Sequence, residues 1–172
     1  GHILRHGGSP IMWKTGHSLI KAKMKETHAE LAGEMSGHFF FAERWFGFDD
    51  GIYAAARLLE ILAAAPEGIQ AVFDELPKLF STPELKIELQ EGEQHAFIEE
   101  FLSKATFDGA RINTIDGLRA DWPNGWGLVR ASNTTPVLVL RFEAEDQKQL
   151  IDIQQQFKDQ MLAVRDDLQF PF

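Results

Sequence analysis

The sequence predicts an α/β partial domain, a truncated mixed sheet with helices, followed by an α+β domain with an antiparallel four-stranded sheet and two helices. Three patterns predict this. In the first half, short apolar runs alternate with segments of helical period. After Ser81-Thr82-Pro83 the period switches to strict alternation, the mark of a sheet with one wet face. Two later stretches, from Glu93 and from Asp146, carry apolar residues three and four apart, as helices packed on such a sheet do. The expected division is 1–77 and 78–172.

In the first part, Ile11-Met12-Trp13 follows a Gly/Pro turn and reads as a buried strand. Residues 18–27 form a helix, with Leu19, Ile20 and Met24 on one face and lysines 21, 23 and 25 around the outside. Glu30-Leu31-Ala32 leads into a glycine-bracketed loop, residues 33–38, and Phe39-Phe40-Phe41 is a short strand. Asp49 and Asp50 suit a helix N-terminus. The helix after them carries a wide apolar stripe, Ile52, Ala55, Ala56, Leu58, Leu59 and Leu62, ending near Ala65-Pro66. A linking helix from Ile69 to Leu76 precedes Pro77.

In the second part, Leu85, Ile87 and Leu89 alternate with Lys86, Glu88 and Gln90. The helix from Glu93 places Phe97, Ile98, Phe101 and Leu102 on one face. Residues 111–115 form a strand, and Asp116-Gly117 is a turn signal. Leu118, Ala120 and Trp122 then alternate with polar residues. Two apolar runs, around Trp126 to Val129 and Val137 to Leu140, flank a polar tip. Asp146 opens a last helix with Leu150, Ile153, Phe157, Met161 and Val164 inward, and the apolar tail 169–172 packs down.

With 44% hydrophobic residues the 172-residue chain is a folding one. Its net charge of −9 argues against a broad nucleic-acid contact, which needs a basic field, but leaves room for one small phosphate site. The absence of cysteine fits the expected cytoplasmic setting. No apolar run approaches the roughly 20 residues of a membrane span, so no membrane contact is expected. The first ten residues lack a long apolar core and do not read as a signal peptide. The chain opens without Met and is expected to be a fragment of something longer.

Three clusters carry chemistry. At the polar tip, Ser132-Asn133-Thr134-Thr135 offers hydroxyls, an amide and backbone N–H groups beside Arg130, the fixed dipoles and planar cation that hold a phosphate. Ser and Thr in a turn also satisfy their own backbone, so a self-bonded turn is the competing reading. In Glu34-Met35-Ser36-Gly37-His38 a carboxylate and a hydroxyl two residues apart project to one side if the backbone is extended, an acceptor–donor pair suited to sugar hydroxyls. His38 there can move protons near neutral pH. The competing reading is a polar loop with a surface Glu and a structural His. In Trp13-Lys14-Thr15-Gly16-His17-Ser18 a cation and an imidazole follow an expected strand end, or simply precede a helix. Asp49-Asp50 reads as caps rather than a metal pair, and no metal motif or nucleotide cradle is present.

Taken together and in register, residues 13–18, 33–38, Phe46-Gly47-Phe48-Asp49-Asp50-Gly51 and Arg130 to Pro136 resemble the C-terminal portion of an α-D-phosphohexomutase, most nearly its bacterial phosphomannomutase/phosphoglucomutase branch. The resemblance runs nearly end to end. It implies most of a third domain, with its sugar-recognition loop and linker helix, and all of a phosphate-binding fourth. It implies an enzyme that reversibly interconverts hexose 1-phosphate and hexose 6-phosphate through a phosphoserine and a bisphosphorylated sugar. By position, Glu34, Ser36 and His17 match sugar-binding residues, and His38 matches a residue beside the reacting phosphate with acid/base capacity. Arg130, Ser132, Asn133, Thr134 and Thr135 match the grip on the distant phosphate. Met35 and the Asn133-Thr134 pair favour the mannose/glucose branch. The family's Ser-His-Asn loop and its Mg²⁺-binding aspartates are not in this sequence, so the metal ligands and nucleophile are expected in the missing N-terminal domains of the same enzyme. This chain alone is then expected to be inactive. A free-standing phosphosugar-binding module is the other reading.

Overall fold

The computed structural model describes residues 2–172. The chain divides into two compact units, Gly1–Pro77 and Lys78–Phe172.

The first unit runs α1 (His2–Arg5), α2 (His17–Thr27), β1 (Leu31–Gly33), β2 (Phe39–Phe41), α3 (Gly51–Ala64) and α4 (Ile69–Asp74). In α2, Ile20 and Met24 lie one turn apart and close over Phe40 of β2, which is fully buried. The helix stops at His28, whose backbone turns left-handed (φ 55°) and whose N–H donates to the Met24 carbonyl. Asp50 caps α3 by accepting from the Tyr53 N–H at 2.9 Å. Tyr53 stacks on Trp45 (4.3 Å between centroids) and meets the Phe41 ring edge-on. These rings tie the start of α3 to β2.

Expectations of strand and sheet in this unit need correction. Residues 11–13 are not a strand, and Ile11 and Met12 are about half exposed (54% and 51%). A buried strand needs covered faces and paired edges, and the sheet here is a two-stranded antiparallel hairpin rather than a mixed sheet. The Leu31-Ala32-Gly33 lead-in is itself a strand, paired from Leu31↔Phe41 to Gly33↔Phe39. The apolar stripe of α3 is present but buries no residue; Ile52 and Leu59 are 87% and 65% exposed. Two three-residue strands offer too little surface to cover a stripe of that width.

The second unit runs β3 (Phe80–Ser81), β4 (Leu85–Glu88), α5 (Glu93–Lys104), β5 (Arg111–Asn113), β6 (Leu118–Trp122), β7 (Gly125–Ala131), β8 (Val137–Ala144) and α6 (Gln147–Leu162). The α+β class is as expected. The antiparallel sheet has six strands rather than four, in the order β3-β8-β7-β6-β5 with β4 also on β8. β3 and β4 lie along one edge of β8, at Glu143–Ala144 and at Val137 to Leu140. β3, two residues long, is too short to leave an alternation in sequence; the other five strands fall on runs read from the sequence.

Both helices cover one face of this sheet. Phe97, Ile98 and Phe101 of α5 and Leu150, Ile153, Phe157 and Met161 of α6 meet Leu118, Ala120, Val129, Leu138, Leu140, Phe142 and Ala144. Leu102 is turned partly out of this core, and Gln94, one turn before Ile98, is buried instead. The fully buried Phe157 ring lies 4.5 Å from Phe107 and 5.4 Å from Phe142. Burying a side chain of this size stabilises by about 1.5–3 kcal/mol. Asp146 caps α6 through the Gln149 N–H at 2.8 Å. Phe170 of the tail packs on the core, and the Phe172 ring meets Phe142 edge-on.

Arg165 closes the unit by donating to Glu93 and to Asp167, both at 2.7 Å. The guanidinium holds the Glu93 carboxyl below its ordinary 4.5 and the Asp167 carboxyl below its ordinary 3.8. Both carboxyls therefore bind protons more weakly folded than unfolded. Their contribution to stability is complete above those ordinary values and is lost as pH falls through the lower folded ones. Thermal unfolding of wild type and Arg165→Gln from about pH 6 to about pH 3 should show the gap in Tm closing as pH falls. A gap that stays constant would mean that these ion pairs contribute nothing.

Candidate functional site

In the first unit the hairpin tip between β1 and β2 is a four-residue turn. The Glu34 N–H donates to the His38 carbonyl at 2.9 Å, and the Gly37 N–H donates to the Glu34 carbonyl at 3.0 Å. Gly37 takes φ +91°, a conformation that side chains disfavour. Met35 and Ser36 stand exposed at this tip, while Glu34 is half-buried. Its Oε1 accepts from the Gly16 N–H at 2.7 Å. Gly16 is the N-cap of α2 with φ 132° and ψ 122°. The carboxylate thus meets the positive end of a helix. This one bond brings residues 13–18 and 33–38 together.

The loop before α2 is anchored from both sides. Lys23 lies 4.2 Å above the Trp13 ring, and the Ile20 N–H donates to the Gly16 carbonyl at 3.0 Å. His17, the first residue of α2, is exposed, with Nδ1 3.3 Å from the Ser18 hydroxyl. His38 is also exposed, and its Nδ1 lies 2.5 Å from Asp49 Oδ2. An ionised carboxylate only accepts, so Nδ1 carries the proton in this bond and Nε2 faces away from it. A β-bridge between Phe40 and Asp49 lays Asp49 along β2, two residues from His38. The adjacent aspartates therefore do different work: Asp50 caps α3, and Asp49 orients His38. The sequence alone reads both as caps, because the pairing of Asp49 spans 11 residues and leaves no local pattern.

In the second unit the tip between β7 and β8 is held by its own serine. Ser132 is 8% exposed, and its Oγ accepts from the N–H groups of Thr134 and Thr135, both at 3.3 Å, and lies 2.9 Å from Thr135 Oγ1. The Ser132 N–H donates to the Val137 carbonyl at 3.0 Å. For Ser132 the self-bonded turn is what is found. That bonding leaves Asn133, Thr134 and Thr135 exposed on a shaped loop. Arg130, half-buried at the loop's base, donates from Nη1 to the Ala131 carbonyl at 3.3 Å. Among the described residues it forms no ion pair, whereas Arg44, Arg57, Arg119 and Arg165 each hold a carboxylate.

Among the described residues no three His, Cys, Asp or Glu side chains converge. The Mg²⁺ that the resemblance implies for a whole enzyme therefore finds no ligand set in them, and no chemical step here passes through a metal.

A family model described as phosphoglucomutase/phosphomannomutase, alpha/beta/alpha domain III, matches residues 2–80. Another, described as phosphoglucomutase/phosphomannomutase, C-terminal domain, matches residues 63–160. The chain is 57% identical over 170 residues to a phosphomannomutase/phosphoglucomutase of Pseudomonas syringae pv. tomato, covering 99% of this chain and 37% of that protein. A phosphoglucomutase of Neisseria gonorrhoeae is 61% identical over 158 residues, covering 91% of this chain and 34% of that protein. The crystal structure of a phosphoglucomutase/phosphomannomutase family protein from Burkholderia thailandensis superposes with a TM-score of 0.90 at 51% identity, covering 99% of this chain and 36% of that one. The chain thus spans a little over a third of the length of these relatives.

The different tasks of Asp49 and Asp50 can be separated. Asp50→Ala should lower stability by about 1 kcal/mol through the lost cap. Asp49→Ala should leave stability nearly unchanged and free the His38 ring. Nitrogen-15 spectra of the imidazole check this: Asp49→Ala should turn one fixed tautomer into an exchanging mixture, and Asp50→Ala should not.

Proposed function

The chain belongs to the phosphoglucomutase/phosphomannomutase family, and on that premise we propose that it is the sugar- and phosphate-gripping part of a phosphohexomutase that interconverts hexose 1-phosphate and hexose 6-phosphate. The observation that carries the proposal is Arg130, a cation with no carboxylate partner among the described residues, at the base of a loop whose bonding is already complete. A phosphate dianion supplies the missing partner. Arg130 takes it through its planar fork, and Asn133, Thr134 and Thr135 add neutral donors without a change of loop shape. Glu34 and Ser36 hold sugar hydroxyls, with His17 alongside. Glu34 is fixed for this by the Gly16 N–H, so little freedom is lost when a sugar arrives. His38 works from Nε2, with Asp49 holding Nδ1–H, and takes or gives a proton at the reacting hydroxyl.

A grip on the phosphate and a grip on the sugar hydroxyls each supply orientation without covalent chemistry. The phosphate passes between a serine and the sugar, and the bisphosphorylated sugar is both intermediate and activator. That serine and the Mg²⁺ ligands belong, on this reading, to N-terminal domains of the same enzyme, set in the cytoplasm. A non-catalytic phosphosugar-binding module is the outcome to be distinguished by test.

The purified chain should form no glucose 6-phosphate from glucose 1-phosphate, even with Mg²⁺ and glucose 1,6-bisphosphate. An enzyme carrying it as its C-terminal part should. Turnover by the chain alone would overturn the division of labour, and inactivity of the longer protein would favour the module.

In that longer protein, Arg130→Ala should weaken glucose 1-phosphate, glucose 6-phosphate and mannose 6-phosphate by a similar factor, about ten- to a hundredfold. Arg130→Lys should recover only part. Glu34→Gln should lower kcat/KM without a matching fall in Tm. Isothermal titration and steady-state kinetics check these. Selective loss of one sugar would make Arg130 a selectivity residue, and no loss at all would refute its assignment to phosphate.

A further inference from the structure

We infer that Gly117 is a positioning residue for the phosphate grip: it seats the turn before β6 directly on the backbone of Arg130. The inference rests on the phosphate reading of Arg130. Leu118 pairs with Val129, so Gly117, one residue back, faces Arg130 across the strands. Gly117 has φ +73°. A Cβ built there would lie 2.6 Å from both Cα and Cβ of Arg130 and would run into the Val129 carbonyl oxygen. None of these atoms is the loose end of a flexible side chain. To admit even a methyl group, the end of β7 or the turn itself must shift.

The turn is braced and gives way poorly. The Ile115 N–H donates to Asn113 Oδ1 at 2.9 Å, and Leu118, the next residue after Gly117, is buried in the core. The strand end pairs with β8 at Arg130↔Val139 and Ala131↔Leu138 and leaves the ladder just beyond. Two residues beyond Arg130 it becomes the loop that Ser132 closes, so a shift there moves the guanidinium and the loop donors together. A phosphate held at once by the Arg130 fork and by the loop depends on their spacing, and Gly117 sets that spacing without touching the ligand.

The test is titration of the nitrogen-15-labelled 172-residue chain with glucose 6-phosphate, followed at the amides of Asn133, Thr134 and Thr135. Gly117→Ala and Gly117→Asn are compared, each alone and combined with Arg130→Ala. Asn tolerates positive φ better than Ala but carries the same Cβ, so it separates backbone strain from the steric contact. Both single variants should keep native-like spectra and lose affinity roughly tenfold, most of one charge-assisted contact. In the Arg130→Ala background the same changes should alter affinity by less than about twofold, since a residue acting through Arg130 has nothing left to act on. An equal loss in both backgrounds overturns the inference, as does unchanged affinity. So does failure of both variants to fold, which would make Gly117 a residue of the fold alone. If Arg130→Ala leaves affinity unchanged, or wild type does not bind, the phosphate reading itself fails and this inference falls with it.

Discussion

The second unit depends on the register between β7 and β8. Seven residue pairs, from Gly125↔Ala144 to Ala131↔Leu138, form the ladder to which other strands attach: β6 on β7, and β3 and β4 on β8. Because strand side chains alternate, a slip of one residue on β7 would send Val129 to solvent and Arg130 into the core. Two glycines forbid the slip. A Cβ at Gly127 would run into Phe157 and come within 2.9 Å of Phe142, and one at Gly125 would lie 2.7 Å from Ile153. In a slipped register Trp126 or Leu128 would have to occupy the place under Phe157, where not even a methyl fits. The packing of α6 thus decides which way the cation at the strand's end points.

The first unit fixes its polar groups by a different device. Its core is small, Ile20, Met24 and Phe40, and its loops are set by hydrogen bonds between segments. Glu34 borrows the Gly16 N–H, and His38 borrows Asp49. Both bonds use a carboxylate, and both leave the partner's other functional face open. Ser132 in the second unit bonds within its own loop instead and becomes part of the scaffold. Two of the groups singled out in sequence are therefore fixed through a bond to a neighbour, and one is spent on holding its own loop in place.

How much of this the sequence disclosed follows from the range of each interaction. The alternation of Leu85 and Ile87, the helical stripes of α5 and α6, and the caps at Asp50 and Asp146 are local patterns, and they appear where expected. Residues 11–13 were misleading because an apolar triplet says nothing about whether strands exist to receive it. The clusters at 33–38 and 132–135 were visible as unusual chemistry in short windows. The tasks of Asp49, Gly16 and Gly117 were not, since each is defined by a residue 11 or more positions away and two of the three are glycines, whose meaning lies in what they allow to come close.

Charge balance makes the local design necessary. On the proposed phosphate reading, a chain of net charge −9 repels a phosphate dianion at long range, so the binding energy would have to arise within a few ångströms of the site. At physiological salt the field of distant carboxylates is screened beyond about 8 Å, and what remains is the immediate surroundings of Arg130. Among the described residues no carboxylate pairs with it, and residues 131–137 are all neutral. Its charge is therefore not cancelled in advance, and the neutral loop adds dipoles without adding repulsion. Dipoles and a planar fork also impose geometry, which a cluster of mobile lysines would not. On the proposed phosphate reading, an uncancelled guanidinium beside a neutral loop would favour an anion that fits the loop over anions in general.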